Sequence, residues 1–166
     1  PWVMPSPNMP TPDTARVYPG AVIFEGSEVS EGRGTTRPFE LIGAPWIDAW
    51  RLAGEMNSLK LPGAHFRAAH FEPTFHKWEG KICGGVQIHV TDRDGFKPFI
   101  SALALLREIH RQSPDEFAWK QPPYEYEHLK MPIDILAGSL ALRTQIEAGV
   151  DAREIAASWQ PDVAAF

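Results

Sequence analysis

A chain of 166 residues, 43% hydrophobic and 22% charged, has the composition of one ordinary globular domain, able to bury about 70% of the surface it exposes when unfolded. Its net charge of −5 and pI near 5.7 exclude the basic stripe of a nucleic-acid binder, and no apolar run approaches the roughly 20 residues of a membrane helix. The single cysteine, Cys83, excludes an intramolecular disulfide or a cysteine-based zinc site, and beside Gly84 it reads as a small buried hydrophobe.

Residues 1–19 carry Pro1, Pro5, Pro7, Pro10, Pro12 and Pro19, a density that favours an extended connector from a preceding domain. Trp2, Val3 and Met4 are too apolar for a free tail, so this connector is expected to lie along a surface. Thr11 or Asp13 caps one short helical turn through Val17. Residues 20–166 form the domain proper. Ala21–Phe24 is a candidate buried strand. Pro45 has the look of a first helical residue, and Trp46, Ala49, Trp50, Ala53 and Met56 recur at helical spacing to about Ser58. The two tryptophans suit either a sugar platform or core packing, and their place on the stripe favours the core.

Leu61-Pro-Gly is a turn, after which Ala64–Phe75 and Lys81–Asp92 read as two strands joined through Lys77–Gly80. Pro73 marks a strand end or a sheet edge. Val86, Ile88 and Val90 alternate with Gln87, His89 and Thr91, so the polar face meets either water or a cleft. Asp92 or Asp94 is a helix cap ahead of the apolar stripe Phe96, Phe99, Ile100, Leu103, Leu106 and Ile109. Gln112–Met131 reads as a packed, polar, aromatic loop. Ile133–Ala148 is helical to Gly149, and Asp151–Glu154 is a capping box opening a last helix through Trp159. Two alternating strands and several helices without repeated βα units predict an α+β fold: a small, mainly antiparallel sheet packed with several helices, in a single domain. His65, His70 and His76, spaced by five and six residues, do not share one strand face, and no metal or cofactor motif is present.

Ser30–Glu40 is the densest polar segment, Ser-Glu-Gly-Arg-Gly-Thr-Thr-Arg-Pro-Phe-Glu, with no apolar face of either period. It is a loop set between apolar segments, either a solvated turn whose charges pair among themselves or a binding loop. It lacks the spacing and lysine of a P-loop and the third glycine of a dinucleotide fingerprint. Glu31 and Glu40 lie nine residues apart, and nothing in the sequence fixes their separation as a glycosidase pair.

This loop, together with Asn8-Met-Pro-Thr-Pro-Asp-Thr-Ala, Tyr18-Pro-Gly, Glu25-Gly, Gly43-Ala-Pro-Trp-Ile-Asp and Gly84-Gly-Val-Gln-Ile-His-Val-Thr-Asp, resembles the second half of the NamZ-type exo-β-N-acetylmuramidases, long catalogued as a domain of unknown function. The resemblance runs over nearly the whole chain. It implies part of a bacterial glycoside hydrolase that removes terminal N-acetylmuramic acid from peptidoglycan fragments. It also implies a Rossmann-like N-terminal domain as partner, with the active site in the cleft between the two. The principal catalytic carboxylate is then in that partner, so no residue here is assigned as catalytic, and the isolated chain is expected to be inactive. Arginine suits planar carboxylates, and the sugar carries a lactyl carboxylate. The candidate substrate-binding residues are therefore Glu31, Arg33, Gly34, Thr35, Thr36 and Arg37 in the loop and His89 on the polar strand face, with no metal and no cofactor. The alternative is a non-catalytic interaction module, or a carbohydrate- or anion-binding module. Localisation is open: no signal peptide is read, and the resemblance admits a periplasmic, secreted or cytoplasmic protein.

Overall fold

Residues 11–14 carry the start signals of a helix. Thr11 Oγ1 accepts from the Thr14 amide at 3.1 Å, and Pro12 occupies the first helical position, where its missing N–H costs nothing. The structure, a computed structural model, describes residues 1–165 and shows this helix, α1, over Pro12–Ala21. It is longer than the single turn expected and carries Pro19 within it. Burial of Thr14, Val17, Gly20 and Ala21, with α1 lying against a later helix, outweighs the local disruption by proline. Ala21–Phe24 is not a strand. The chain passes from α1 into a 3-10 turn, Val22–Gly26, that buries Ile23 and Phe24. Four apolar residues carry no period that separates the two conformations.

The first strand, β1, is Leu41–Ala44, buried along its length. The next helix, α2, spans Ala49–Ser58 and begins later than Pro45, because the Asp48 carboxylate accepts from the Trp50 and Arg51 amides, each at 3.0 Å. Its buried stripe is Ala49, Leu52, Ala53 and Met56, whereas Trp50 is 77% exposed. Trp46 lies ahead of the helix and packs partly against the core.

Strands β2, Ala64–Phe71, and β3, Cys83–Val90, pair antiparallel, and the sheet order is β1-β3-β2. Both are shorter than the sequence suggested, and β2 ends ahead of Pro73. Pairs such as Ile42↔Val86 and Phe66↔Ile88 set the register that turns Val86 and Ile88 into the core. On the edge strand β2, the Asn57 side chain from α2 donates to the Phe66 carbonyl at 2.8 Å and accepts from the Phe66 amide at 3.0 Å. Cys83 is fully buried and free.

Helix α3, Pro98–Gln112, is the core helix, with Leu103, Leu105, Leu106 and Ile109 all fully buried. Each such side chain contributes about 1.5–3 kcal/mol relative to exposure. Asp92 and Asp94 do not cap it: Lys97 is the boundary residue, Pro98 opens the helix, and Asp92 instead accepts from the Asp94 amide within the turn. After the long loop come α4, Pro132–Ala137, and α5, Ala141–Glu147. The single helix expected over Ile133–Ala148 is broken because Gly138 takes a left-handed conformation, φ 70°, and ends α4. The last helices are α6, Ala152–Ser158, capped by Asp151, and α7, Gln160–Ala165. The architecture is α+β, a small antiparallel sheet against helices, as the sequence predicts.

Candidate functional site

The polar loop between the 3-10 turn and β1 is anchored from beneath by one buried ion pair. Glu31 is fully buried, and its Oε2 accepts from Lys77 Nζ at 2.8 Å while its Oε1 accepts from Arg33 Nε at 3.0 Å. Lys77 Nζ also donates to the carbonyls of Phe24 at 2.9 Å and Val29 at 3.2 Å, so all three ammonium protons are used. His76 Nδ1 stands 3.5 Å from Glu31 Oε1. Burial pushes the Glu31 carboxyl up, but Lys77, a backbone hydrogen bond and His76 prevail and hold it below its ordinary value. Burial is the largest influence on Lys77 and leaves its ammonium below the ordinary lysine value despite Glu31. Glu31 is thus the floor of the loop rather than a surface that a ligand meets.

Above this floor lies a polar hollow of about 210 Å³, lined by Glu25, Arg33, His76, Lys77, Lys120, Pro123, Tyr124 and Glu125. Arg33 is its centre. Its Nε is held by Glu31 and its Nη2 by Glu25, while its guanidinium carbon lies 5.0 Å from the Phe39 ring centroid. Nη1 has no protein partner among the described residues and remains available. Burial opposes the charge of Arg33, but the two carboxylates prevail and raise its value further. Glu25 accepts from Arg33 on Oε1 and from the Tyr124 hydroxyl on Oε2 at 2.8 Å. Burial and Glu25 keep the Tyr124 hydroxyl protonated well beyond its ordinary range. Backbone strain gathers here as well. Among the described residues five non-glycine residues have positive φ, including His76 at 75° and Glu125 at 51° in the lining, Phe39 at 63° beneath Arg33, and Trp78 at 60° next to Lys77. Such conformations cost about 1–3 kcal/mol each and cluster at functional sites.

A second, more open hollow of about 700 Å³ lies across a ridge, lined by Gly34, Thr35, Thr36, Leu41, His70, Phe71, Glu72, Thr74 and Phe75, with Pro7 and Asn8 of the N-terminal segment. The ridge is where the two loops meet: the Thr74 amide and hydroxyl both donate to the Gly34 carbonyl, at 3.0 and 2.9 Å. Gly34 has φ +81°, and a Cβ there would fall 2.7 Å from the Phe75 nitrogen and 2.8 Å from its carbonyl oxygen. Thr35 Oγ1 is committed to the Gly32 carbonyl at 2.6 Å, whereas Thr36 is exposed.

The structure therefore divides the predicted residues. Arg33 lines the first hollow and Gly34, Thr35 and Thr36 the second, whereas Glu31 lines neither and lies buried beneath Arg33. Arg37 lines neither; it is 46% exposed and pairs with Glu40 at 3.6 Å, while Glu40 is itself bound by Thr14 and Thr11 of α1. His89 also lines neither hollow. It sits opposite His65 on the sheet, its Nε2 buried without a partner. Burial first, then Arg67, His65 and Arg37, outweigh Glu40 and lower its value, so the ring is neutral near pH 7. Sequence reasoning missed Glu25, His76, Lys77, Lys120, Tyr124 and Glu125. The bond from Glu25 to Tyr124 spans 99 positions, and no local spacing signals it. Among the described residues no group of three His, Cys, Asp or Glu side chains is arranged to hold a metal ion, and no helix is long and apolar enough to cross a membrane.

Residues 16–166 match the family model described as exo-beta-N-acetylmuramidase NamZ, C-terminal. The chain is 45% identical over 166 residues to the peptidoglycan beta-N-acetylmuramidase NamZ of Bacillus subtilis strain 168, covering all of this chain and 38% of that relative. Two crystal structures of DUF1343 family proteins from Bacteroides fragilis are similar. One superposes with a TM-score of 0.75 at 27% identity, over 91% of this chain and 38% of the other. The second gives a TM-score of 0.63 at 25% identity, over 96% of this chain and 40% of the other.

Proposed function

Because the chain belongs to the family of the C-terminal part of the exo-β-N-acetylmuramidase NamZ, we propose that it forms one wall of a glycosidase cleft that releases terminal N-acetylmuramic acid from peptidoglycan fragments. The observation that carries this reading is the family match across residues 16–166. The chain spans 38% of the length of its curated relative, and the second wall is a Rossmann-like N-terminal domain that brings the principal catalytic carboxylate. The surface around the second hollow suits that arrangement. Trp2 (43% exposed), Val3 (83%) and Met4 (55%) leave apolar area uncovered ahead of Pro7 and Asn8, which line this hollow, and Phe75 (49%) does so within its lining.

Within the wall, Arg33 reads the lactyl carboxylate of the small peptidoglycan-derived sugar. Glu25 and Glu31 fix its plane from behind, Nη1 is left without a protein partner among the described residues, and Lys120 lines the same hollow. Thr36 and the backbone of Gly34 and Thr35 bond sugar hydroxyls or the N-acetyl group on the ridge. Arg37, outside both hollows, takes no part. The test uses this domain joined to its Rossmann-like partner, with chromogenic N-acetylmuramide and N-acetylglucosaminide as substrates. Hydrolysis of the muramide is expected only in the joined protein, and Arg33→Lys is expected to reduce the ratio of the two kcat/KM values while Arg37→Lys leaves it. No hydrolysis by the joined protein refutes the muramidase reading. An unchanged ratio in Arg33→Lys moves selectivity to the other wall.

A further inference from the structure

Beyond holding the Arg33 guanidinium, the Glu25 carboxylate lines the hollow itself, and the geometry points to Glu25 as a second catalytic carboxylate, the base that takes the proton of the attacking water. This inference rests on the muramidase reading and deepens it. Glycosidases that invert use one carboxylic acid to protonate the leaving oxygen and a second carboxylate, on the opposite side of the sugar ring, to activate water. Three carboxylates stand at or beneath this hollow, and two are unsuited. Glu31 is fully buried, with both oxygens engaged by Lys77 and Arg33. Glu125 has no side-chain hydrogen bond or ion pair among the described residues, so nothing there fixes its orientation. Glu25 differs from both. Its side chain keeps 16% of its exposure, lines the hollow, and is fixed at each oxygen by one strong donor, Arg33 on Oε1 and Tyr124 on Oε2. A carboxylate oxygen offers two lone pairs, so each retains one for a water in the hollow.

Three further features suit this role. Arg33 is itself braced by Glu31, which is braced by Lys77, so the plane of the Glu25 carboxylate is set by a chain of charged hydrogen bonds rooted in the core. Tyr124 keeps its proton and acts as a donor, which leaves Glu25 the acceptor of the pair. The strained backbone of His76 and Glu125 lies in the same lining, a cost the fold carries at this hollow. In the step, the bond between the anomeric carbon and the glycosidic oxygen breaks with its electron pair going to that oxygen, which takes a proton from a carboxylic acid of the partner domain. A water oxygen bonds to the anomeric carbon, and Glu25 takes the proton that water releases. Arg33 sits between the two events, binding the lactyl group with Nη1 and orienting Glu25 with Nη2.

The experiment is run on the joined two-domain protein, whose wild-type turnover of a chromogenic muramide reports on the muramidase reading by itself. Glu25→Gln keeps an acceptor for Arg33 and the shape of the side chain. It is expected to lower kcat by about 10³-fold or more, beyond the ~10²–10⁴-fold range's lower bound for a positioned base, with KM within a few-fold. Glu25→Ala is expected to regain turnover with sodium azide or formate, and with azide to yield the muramyl azide. A merely structural glutamate would give no such product. A kcat within ten-fold of wild type in Glu25→Gln, or no rescue of a folded Glu25→Ala, overturns the assignment while leaving the muramidase reading in place. If neither Glu25 variant folds, Tyr124→Phe decides: it retains Glu25 but loses the Oε2 donor, and a kcat equal to wild type overturns the inference.

Discussion

Replacing Lys77 by methionine removes a charge from the centre of the loop floor while keeping the length of the side chain. The Lys77 side chain is 8% exposed and that of Glu31 1% exposed, so solvent does little to screen what is left behind. Breaking a buried pair by removing one partner costs about 3–5 kcal/mol; Arg33 still holds Glu31 Oε1, but Oε2 is left buried without its donor. The carbonyls of Phe24 and Val29 lose their donor too, each a further loss of about 1–3 kcal/mol if no water replaces it, though these losses overlap. At roughly 2–4 °C per kcal/mol for a domain of this size, Lys77→Met is expected to lower Tm by about 6–20 °C. Glu31→Gln leaves the lysine unpaired and is expected to cost a comparable amount. The double variant should recover about 2 kcal/mol or more of the sum. Urea denaturation followed by tryptophan fluorescence, run as a double-mutant cycle, measures this coupling. A coupling below about 1 kcal/mol, the size of an exposed pair, would refute the reading of this pair as the floor of the site.

Acid should loosen the same floor. The Glu31 carboxyl is held below its ordinary value in the fold, so its stabilising contribution is complete above the unfolded value of about 4.3 and is lost as pH falls through the folded value. Lys77, also lowered, works the opposite way, adding stability as pH rises from its folded value toward about 10.4. Tm measured from pH 7 down to pH 3 should therefore fall more steeply in wild type than in Glu31→Gln, and parallel curves would remove the assignment. Gly34→Val combines φ +81° with a Cβ placed against the Thr74–Phe75 backbone. It should destabilise the domain by at least ~1–3 kcal/mol, read by denaturation, and an unchanged midpoint would show that the ridge yields. Trp50→Ser, at a side chain 77% exposed, should stay within about ±0.5 kcal/mol of wild type in the same assay.

What the sequence disclosed follows how far each signal reaches along the chain. Helix α3 shows a full stripe from Phe99 to Ile109, and the β2–β3 pairing shows in the alternation of Val86, Gln87, Ile88 and His89. Ala21–Phe24 was illegible because four apolar residues fit a buried strand and a 3-10 turn equally. A stripe through Trp46, Ala49, Trp50, Ala53 and Met56 fits helical spacing as well as the observed one, Ala49, Leu52, Ala53 and Met56, so spacing alone does not show that Leu52 rather than Trp50 is buried. The position of Gly34 and Arg33 at the site could be anticipated from a polar loop set between apolar segments. Lys77 and Tyr124 could not, since their partners lie 46 and 99 positions away and only the fold brings them together. Arg37 and Arg33 look interchangeable in sequence, yet one faces a hollow and the other the start of α1.

The amide of Asn57 has a consequence for how this domain behaves at high concentration. β2 is an edge, and an edge of eight residues with outward-facing amides and carbonyls is a template on which another copy can extend the sheet. Asn57 occupies both groups of Phe66 with the same donor–acceptor pair that an incoming strand would offer. An approaching strand must give up pairing at that register or displace a bond already made, so the growth of a cross-copy sheet meets a gap near its first residues. A single side chain on a neighbouring helix thus closes one register of the edge, in a strand that also carries the exposed charge of Arg67.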